Sequence, residues 1–224
     1  MIAQNIQFLR HAGVCLSQQA NIYRSQEKYE QAILCYKEAI SILKKSADHT
    51  SFASVLGNLA LLYAKMGDRE NAIMQYKECI DVCIKEGNRK FEGINRGNLA
   101  EELYSAGYYE ESIDMFEKAI SICVRAYPVA EISFRVGLAL AYIKVDRISQ
   151  AKRLVEKDDS ILKKIPLEYI EYLHTKVQVY IELKDKDTAR VIFSELEDFI
   201  SKNPSVYRKE YQKKRAQLQR LLID

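Results

Sequence analysis

The sequence contains no tryptophan, only three prolines and only eight glycines among 224 residues. Because glycine and proline dominate tight turns, their scarcity argues against a fold built from many short strands and turns. No run of about eighteen uncharged apolar residues occurs, so no segment is expected to span a bilayer. The first residues, MIAQNIQFLRHAG, lack the basic, apolar and small-residue order of a secretory signal. We therefore expect a helix-rich cytoplasmic chain with no membrane partner.

The charges of the chain are nearly balanced, because 34 basic and 31 acidic side chains give a formal charge of +3. Binding through phosphates needs a clustered basic face, so we expect no nucleic-acid partner. One basic cluster near the C-terminus is interpreted as the solvated face of a terminal helix, since exposed charge is readily hydrated. Its members are Arg208, Lys209, Lys213, Lys214, Arg215 and Arg220.

What the sequence does contain is an internal repeat of about 40 residues. Ala32, Ala72 and Ser112 stand 40 residues apart, and each is followed by isoleucine and then, three residues later, by an aromatic residue. Two weaker copies follow at spacings of 39 and 38, marked by Ala151 and Ala189. The pattern predicts a single domain over 1–224 with repeats at about 7–46, 47–87, 88–127, 128–164 and 165–201.

Each repeat has the pattern of two helices. Leu56, Leu59, Ala60 and Tyr63 stand at i, i+3, i+4 and i+7, the stripe of an amphipathic helix. Gly67 follows where a helix C-terminus favours a left-handed residue, and a second apolar helix begins after it. Such a pair cannot bury its apolar surface alone, so neighbouring pairs must stack. We predict an all-α solenoid of about five antiparallel helix pairs.

A capping helix is predicted at 204–223, because the ends of repeat arrays usually need a polar outer face. Its apolar stripe consists of Tyr207, Tyr211, Leu218 and Leu222. The N-terminus has no comparable cap, and Ile2, Ile6 and Leu9 predict an elongated first helix. Two alternatives are open for this uncapped end: it belongs to a longer chain, or it associates with a second copy.

The segment from Leu56 to Ile80, LxxLAxxYxxxGDxxxAIxxYxxCI, resembles the tetratricopeptide repeat. The resemblance extends over roughly residues 13–201, but the period is near 40 rather than the usual ~34 residues. In this it is similar to the long-repeat subgroup, which includes Leu-Gly-Asn-repeat polarity adaptors, kinesin light chains and bacterial peptide-sensing regulators. The resemblance implies a right-handed superhelix whose first helices line a concave, protein-binding groove.

Three carboxamides recur with a spacing of 40 residues on the first helices, each two residues before an alanine. They are Gln18, Asn58 and Asn98. The resemblance implies that such amides hold the backbone of a bound peptide, and a carboxamide offers both a donor and an acceptor for this purpose. The alternative is that the amides cap or bridge neighbouring helices. Because Gly137 and Thr175 break the series, an amide-held segment should lie over the first three repeats.

The same register predicts further groove residues of mixed character. We expect them to bind an amphipathic protein or peptide segment, with Leu61, Tyr104 and Leu140 as apolar anchors. The alternative is ordinary packing, since single exposed apolar residues need no explanation. The predicted set is Asn21, Arg24, Leu61, Lys65, Glu101, Tyr104, Leu140 and Lys144.

Binding of acidic chaperone tails is a known activity of the family that the sequence argues against. Ser17, Ile94 and Asn98 stand where the resemblance requires two lysines and an arginine. Without these charges, a terminal carboxylate would lose its hydration with little compensation.

Nothing in the sequence predicts catalysis or a cofactor. His11, His49 and His174 fall in different repeats without a recurring acidic or thiol neighbour, so no acid, base or triad is indicated. Cys79 and Cys83 are interpreted as buried reduced thiols, because a zinc site would need four converging ligands. We expect no enzyme, no metal and no cofactor.

Three classes of function remain open. The first is a scaffold that binds a partner segment in the groove. The second is the peptide-sensing domain of a larger signalling or transcription protein, and the third is an assembly or secretion chaperone, because one repeat fold supports many functions.

Overall fold

Polar N-cap residues mark where several helices of this chain begin, and glycines mark where several of them end. The side chains of Asp48, Asp68 and Asn88 each accept a hydrogen bond from the backbone N–H three residues later, at 3.1, 3.3 and 3.3 Å. Gly67 and Gly107 follow helices with φ of +80° and +87°, as the sequence predicts. Four other turns place a non-glycine residue at φ of 55–61°: Glu27, Ala47, Asp146 and Lys184.

The computed structural model describes residues 2–157, 160–206 and 209–223, and all regular structure in these ranges is helical. Five helix pairs are followed by a single helix. The elements are α1 (Ile2–Ser25), α2 (Tyr29–Ser46), α3 (His49–Met66), α4 (Arg69–Lys85), α5 (Arg89–Ser105), α6 (Tyr109–Ala126), α7 (Pro128–Lys144), α8 (Ile148–Val155), a 3-10 turn (Ser160–Lys164), α9 (Pro166–Glu182), α10 (Lys186–Lys202), a second 3-10 turn (Pro204–Val206) and α11 (Lys209–Ile223).

The chain divides into two compact units, one reaching to Ile122 and one beginning at Cys123. In the first unit each helix packs against its neighbours in sequence from α1 to α5, and α3 also contacts α1 and α5. The small residues of the repeat, such as Ala20, Ala32 and Ala60, are 0% exposed. Their short side chains let the helices approach closely, which is why the repeat requires them.

The second unit contains the weaker repeats. Here α7 packs on α8 and α9, and α9 packs on α10. The fourth pair is short because α8 has only 8 residues. Arg135 is 2% exposed, and its Nη1 donates a hydrogen bond of 2.7 Å to the Leu154 carbonyl, which ties α7 to the end of α8. Glu131 Oε1 lies 3.3 Å from Arg135 Nε and balances the buried charge.

The predicted C-terminal cap consists of the 3-10 turn at Pro204–Val206 and then α11, which contacts α9 and α10. Leu218 and Leu222 are each 6% exposed, so they form the buried stripe of this helix. On its polar side, Arg215 forms an ion pair with Glu197. Tyr207, Arg208 and the side chains of Lys209 and Tyr211 lie outside the described residues, as does that of Ile2. No described helix is long and apolar enough to cross a membrane.

Candidate binding groove

Nine of the predicted site residues lie on the first helices of the three pairs in the first unit. We call this set the groove face: Gln18, Asn21 and Arg24 on α1, Asn58, Leu61 and Lys65 on α3, and Asn98, Glu101 and Tyr104 on α5. Gln18, Leu61, Lys65 and Glu101 are exposed, and the other five side chains are half-buried.

The middle helix, α3, presents three different chemical groups on one side. Asn58, Leu61 and Lys65 stand at i, i+3 and i+7, which places them along one face. Leu61 is 46% exposed. Among the described residues, the Asn58 amide has no hydrogen-bond partner. Lys65 Nζ lies 5.5 Å from the centre of the Tyr29 ring.

Asn21 on α1 is held by a buried tyrosine. The Tyr36 hydroxyl donates a hydrogen bond of 2.6 Å to Asn21 Oδ1, and the Tyr36 ring is 0% exposed. Burial raises the pKa of Tyr36, and the nearby Arg24 guanidinium partly opposes this shift. The bond joins α1 to α2 and leaves the two amide protons of Asn21 available.

Asn98 on α5 also meets a buried tyrosine. It lies near Tyr76 of α4, in the preceding pair. Burial raises the pKa of Tyr76, the negative charges of Glu101 and Glu102 raise it further, and Asn98 opposes the rise.

Two aromatic rings lie against each other at the end of α5. The rings of Tyr104 and Tyr109, at the end of α5 and the start of α6, lie 5.6 Å apart in a tilted arrangement. Next to them on α5, burial raises the pKa of Glu102, an effect that Arg69 opposes. The groove face thus carries aromatic, aliphatic, amide and charged groups of both signs.

The two remaining predicted residues, Leu140 and Lys144, lie on α7 in the second unit. Leu140 is 8% exposed, so it is a core residue rather than the exposed anchor that the sequence predicts. The reason is local: every residue from Leu138 to Tyr142 is buried, so this turn of α7 is covered on all sides. Lys144 Nζ lies 3.3 Å from Glu182 Oε1 of α9.

The hydroxyl groups of Tyr36 and Tyr76 are the parts of this site that the sequence pattern did not reveal. The repeat pattern predicts both only as the aromatic residues of the second helices. Their amide partners stand 15 and 22 residues away and in different relations to the repeat. No period in the sequence joins such pairs, so only the packed helices identify them.

Comparison with known families supports the repeat assignment. A model of the tetratricopeptide repeat matches residues 51–125, and another model of this repeat matches residues 15–50. No curated protein matches the sequence significantly.

Several solved structures are similar to this chain. Nearly identical TPR-like repeats of the kinesin light chain kind from Podosopora anserina align with a TM-score of 0.69 and 16% identity, over 85% of this chain and 95% of that one. The apo form of RapI aligns with a TM-score of 0.75 and 15% identity, over 95% and 77%. The Rap conjugation gene regulator of the plasmid pLS20, solved in complex with a Phr peptide, gives 0.65 and 14% over 89% and 54%. At these identities the likeness concerns the fold, and the predicted all-α solenoid class is confirmed.

Proposed function

The chain belongs to the tetratricopeptide repeat family, and we propose that it is a non-enzymatic scaffold that holds an extended or helical segment of a partner protein along the groove face. The observation that carries this proposal is the stripe on α3. An aliphatic side chain that is 46% exposed, Leu61, lies between a carboxamide without a partner among the described residues and an ammonium group. Apolar anchors flanked by polar groups are typical of protein-binding surfaces.

Each group on the stripe has a separate role in this proposal. Leu61 supplies the apolar contact, which contributes most of the binding energy. Asn58 pairs with a peptide group of the partner, because its amide can donate and accept at once. Lys65 favours an acidic side chain nearby. The partner segment is therefore amphipathic, with an apolar residue close to an acidic one.

Asn98 and Asn21 take a smaller part than Asn58. Asn98 lies near Tyr76, whose ionisation it influences, and the oxygen of Asn21 accepts a hydrogen bond from the Tyr36 hydroxyl. Breaking such bonds to free the amide costs about as much as a new bond gains, roughly 0.5–1.5 kcal/mol. The amide protons of Asn21 remain available, so this side chain acts as a donor only.

A second candidate is a peptide-sensing domain of a larger regulator. What favours it is the likeness to the pLS20 Rap regulator, whose structure contains a Phr peptide. A regulator of this kind would carry an effector domain in the same reading frame. The length of the native reading frame distinguishes this candidate from a free scaffold.

The proposal is tested by selecting binders from a random peptide library on the wild-type protein and then measuring each binder by fluorescence anisotropy. Leu61→Glu should abolish binding or weaken it at least tenfold, because it places a charge at the apolar anchor. Glutamate already occupies the equivalent position, Glu101, in the next repeat, so the variant should fold. Asn58→Ala should weaken binding severalfold.

Met74→Asp is the matched control. Met74 is 54% exposed on α4, outside the groove face, and Asp114 occupies its equivalent in the third pair. This variant should bind every selected peptide as the wild type does. The proposal is wrong if no peptide is selected, or if Leu61→Glu and Met74→Asp bind equally well.

A further inference from the structure

One side of α1 carries exposed apolar residues, with the exposed side chains of His11 and Gln18 beside them. Phe8 and Ile22 are 70% and 56% exposed, and Cys15, midway between them, is also exposed. The three residues are spaced by seven, so on a helix of 3.6 residues per turn they form one stripe that drifts by only about 20° per step. We call Phe8, Cys15 and Ile22 the α1 stripe.

The repeat shows what this face is suited to contact. The equivalents of Cys15 and Ile22 on α3 are Val55 and Leu62, which are 2% and 0% exposed. The equivalents on α5 are Asn95 and Glu102. Asn95 is 4% exposed, and its Oδ1 lies so close to α3 that a Cβ built on Gly57 would approach it to 2.8 Å. Glu102 is near Tyr76 of α4 and influences its ionisation. On α5, therefore, this face packs against the preceding helix pair.

We propose that the α1 stripe is the interface for a second copy of this chain, which packs its own α1 antiparallel to the first. The spacing of the stripe is self-complementary. A two-fold axis at Cys15 places Phe8 of one copy against Ile22 of the other, because each lies seven residues from Cys15. An isologous contact requires such a pattern, in which a residue and its counterpart exchange places.

The charges around the stripe favour a second copy over a charged partner. The only arginines of α1 are Arg10 and Arg24, and α1 has no lysine or acidic residue. Arg10 is turned toward the loop after α2, where its Nε lies 2.7 Å from Asp48 Oδ2. Arg24 lies beside Tyr36 on the groove side. Two α1 helices can therefore meet along the stripe without opposing like charges.

The interface is small, since each copy contributes two large apolar side chains and a cysteine. Interfaces of this size are weaker than the standard class. We expect a reversible dimer whose population rises with protein concentration. Gln18 of the groove face lies beside the stripe, three residues after Cys15 and four before Ile22, so the dimer covers this member of the groove face. The stripe of α3 that carries the function proposed above is on another helix.

Sedimentation velocity over a hundredfold range of concentration tests the dimer. The wild type should shift from monomer toward dimer, and Ile22→Glu should raise the dissociation constant at least tenfold. Glu102 occupies the equivalent position in the third pair, so we expect the variant with glutamate to fold. Leu34→Asp is the control. Leu34 is 68% exposed on α2, its equivalent Met74 is also exposed, and Asp114 shows that an acid is accepted there.

Thiol cross-linking tests the geometry. In a Cys35→Ser background Cys15 is the exposed cysteine, because Cys79, Cys83 and Cys123 are buried. A short bis-maleimide should join two copies through Cys15, and Cys15→Ser or Ile22→Glu should abolish the cross-link while Leu34→Asp retains it. A protein that is monomeric at every concentration overturns the proposal. So does a dimer that Ile22→Glu leaves intact or that Cys15 does not cross-link.

Discussion

At the residue scale, two tyrosines connect the core of the first unit with the groove face. Tyr36 and Tyr76 are buried; the Tyr36 hydroxyl donates a hydrogen bond to Asn21, and Tyr76 lies near Asn98. A buried hydroxyl needs a partner, because an unpaired one loses its hydration without compensation. Asn21, which the sequence assigns to ligand binding, therefore also stabilises the fold.

Tyr36→Phe should lower the free energy of unfolding by about 1 kcal/mol, because it removes the donor to Asn21 without changing the packed ring. Urea denaturation measures this change. The same substitution in an Asn21→Ala background should have a clearly smaller effect, since the bond is already absent. Equal effects in the two backgrounds would show that the hydroxyl does not act through Asn21.

His174 should make the stability of the chain sensitive to mild acid. Burial, with a contribution from Lys214, lowers its pKa to about 4, and Glu197 opposes the shift. The imidazole in an unfolded chain has a pKa of about 6.5. As the pH falls through the window between these values, the unfolded chain binds a proton that the folded chain does not. The free energy of unfolding therefore decreases, by at most about 1.4 kcal/mol per pH unit.

The variant His174→Gln lacks the imidazole, so its unfolded chain does not take up this proton. Its free energy of unfolding should fall less than that of the wild type between neutral pH and about pH 5. Urea denaturation at the two pH values measures the difference. An equal loss in both proteins would assign the acid sensitivity to other groups.

At the scale of the elements, the turns differ in how well their residues suit a left-handed backbone. Gly67 has φ of +80°, and Ala47 takes φ of +55° at the end of α2. A Cβ costs about 1 kcal/mol or more in this region. The array therefore contains helix ends that are not optimised for stability.

Ala47→Gly should raise the free energy of unfolding by up to about 1 kcal/mol, and Gly67→Ala should lower it by a similar amount. The second change is a fair comparison because no atom lies within 4 Å of a Cβ built on Gly67. Thermal and urea denaturation of both variants measure the changes. If both substitutions shift stability in the same direction, the left-handed conformation is not the cause.

At the scale of the whole molecule, we expect stability to be distributed along the repeats, because a repeat in such arrays packs mainly against its neighbours. Gly13→Ala provides a local disturbance, since the added Cβ would lie 2.6 Å from Leu43 Cγ in the packed contact of α1 with α2. Leu43 is 1% exposed and has little room to move.

Hydrogen exchange measured by mass spectrometry follows the spread of this disturbance. In Gly13→Ala the amides of α1 and α2 should exchange faster than in the wild type, with a smaller increase in α3 and α4 and the least in α5. In Gly67→Ala the largest increase in the amide exchange rate should instead occur in α3 and α4. A uniform increase from α1 to α5 in both variants would mean that these helices open as one unit.

The amino-acid sequence by itself determined the all-α repeat fold, because a period of about 40 residues and small residues at helix crossings leave few ways to bury the apolar faces. It also determined which residues lie on the first helices. It did not determine which of them are accessible. Leu61 and Leu140 both follow the alanine of their repeat and look alike in the pattern, yet one is 46% exposed and the other 8%.

Only the tertiary structure decided which groups on the groove face already lie against another side chain. The contacts of Tyr36 with Asn21 and of Tyr76 with Asn98 depend on how neighbouring helices cross, and a repeat period carries no information on such crossings. The apolar residues of α1 are a similar case. Ile22 is exposed, whereas Leu62, which has the same register on α3, is buried. Periodicity fixes the side of a helix on which a residue lies, but packing decides what that side meets.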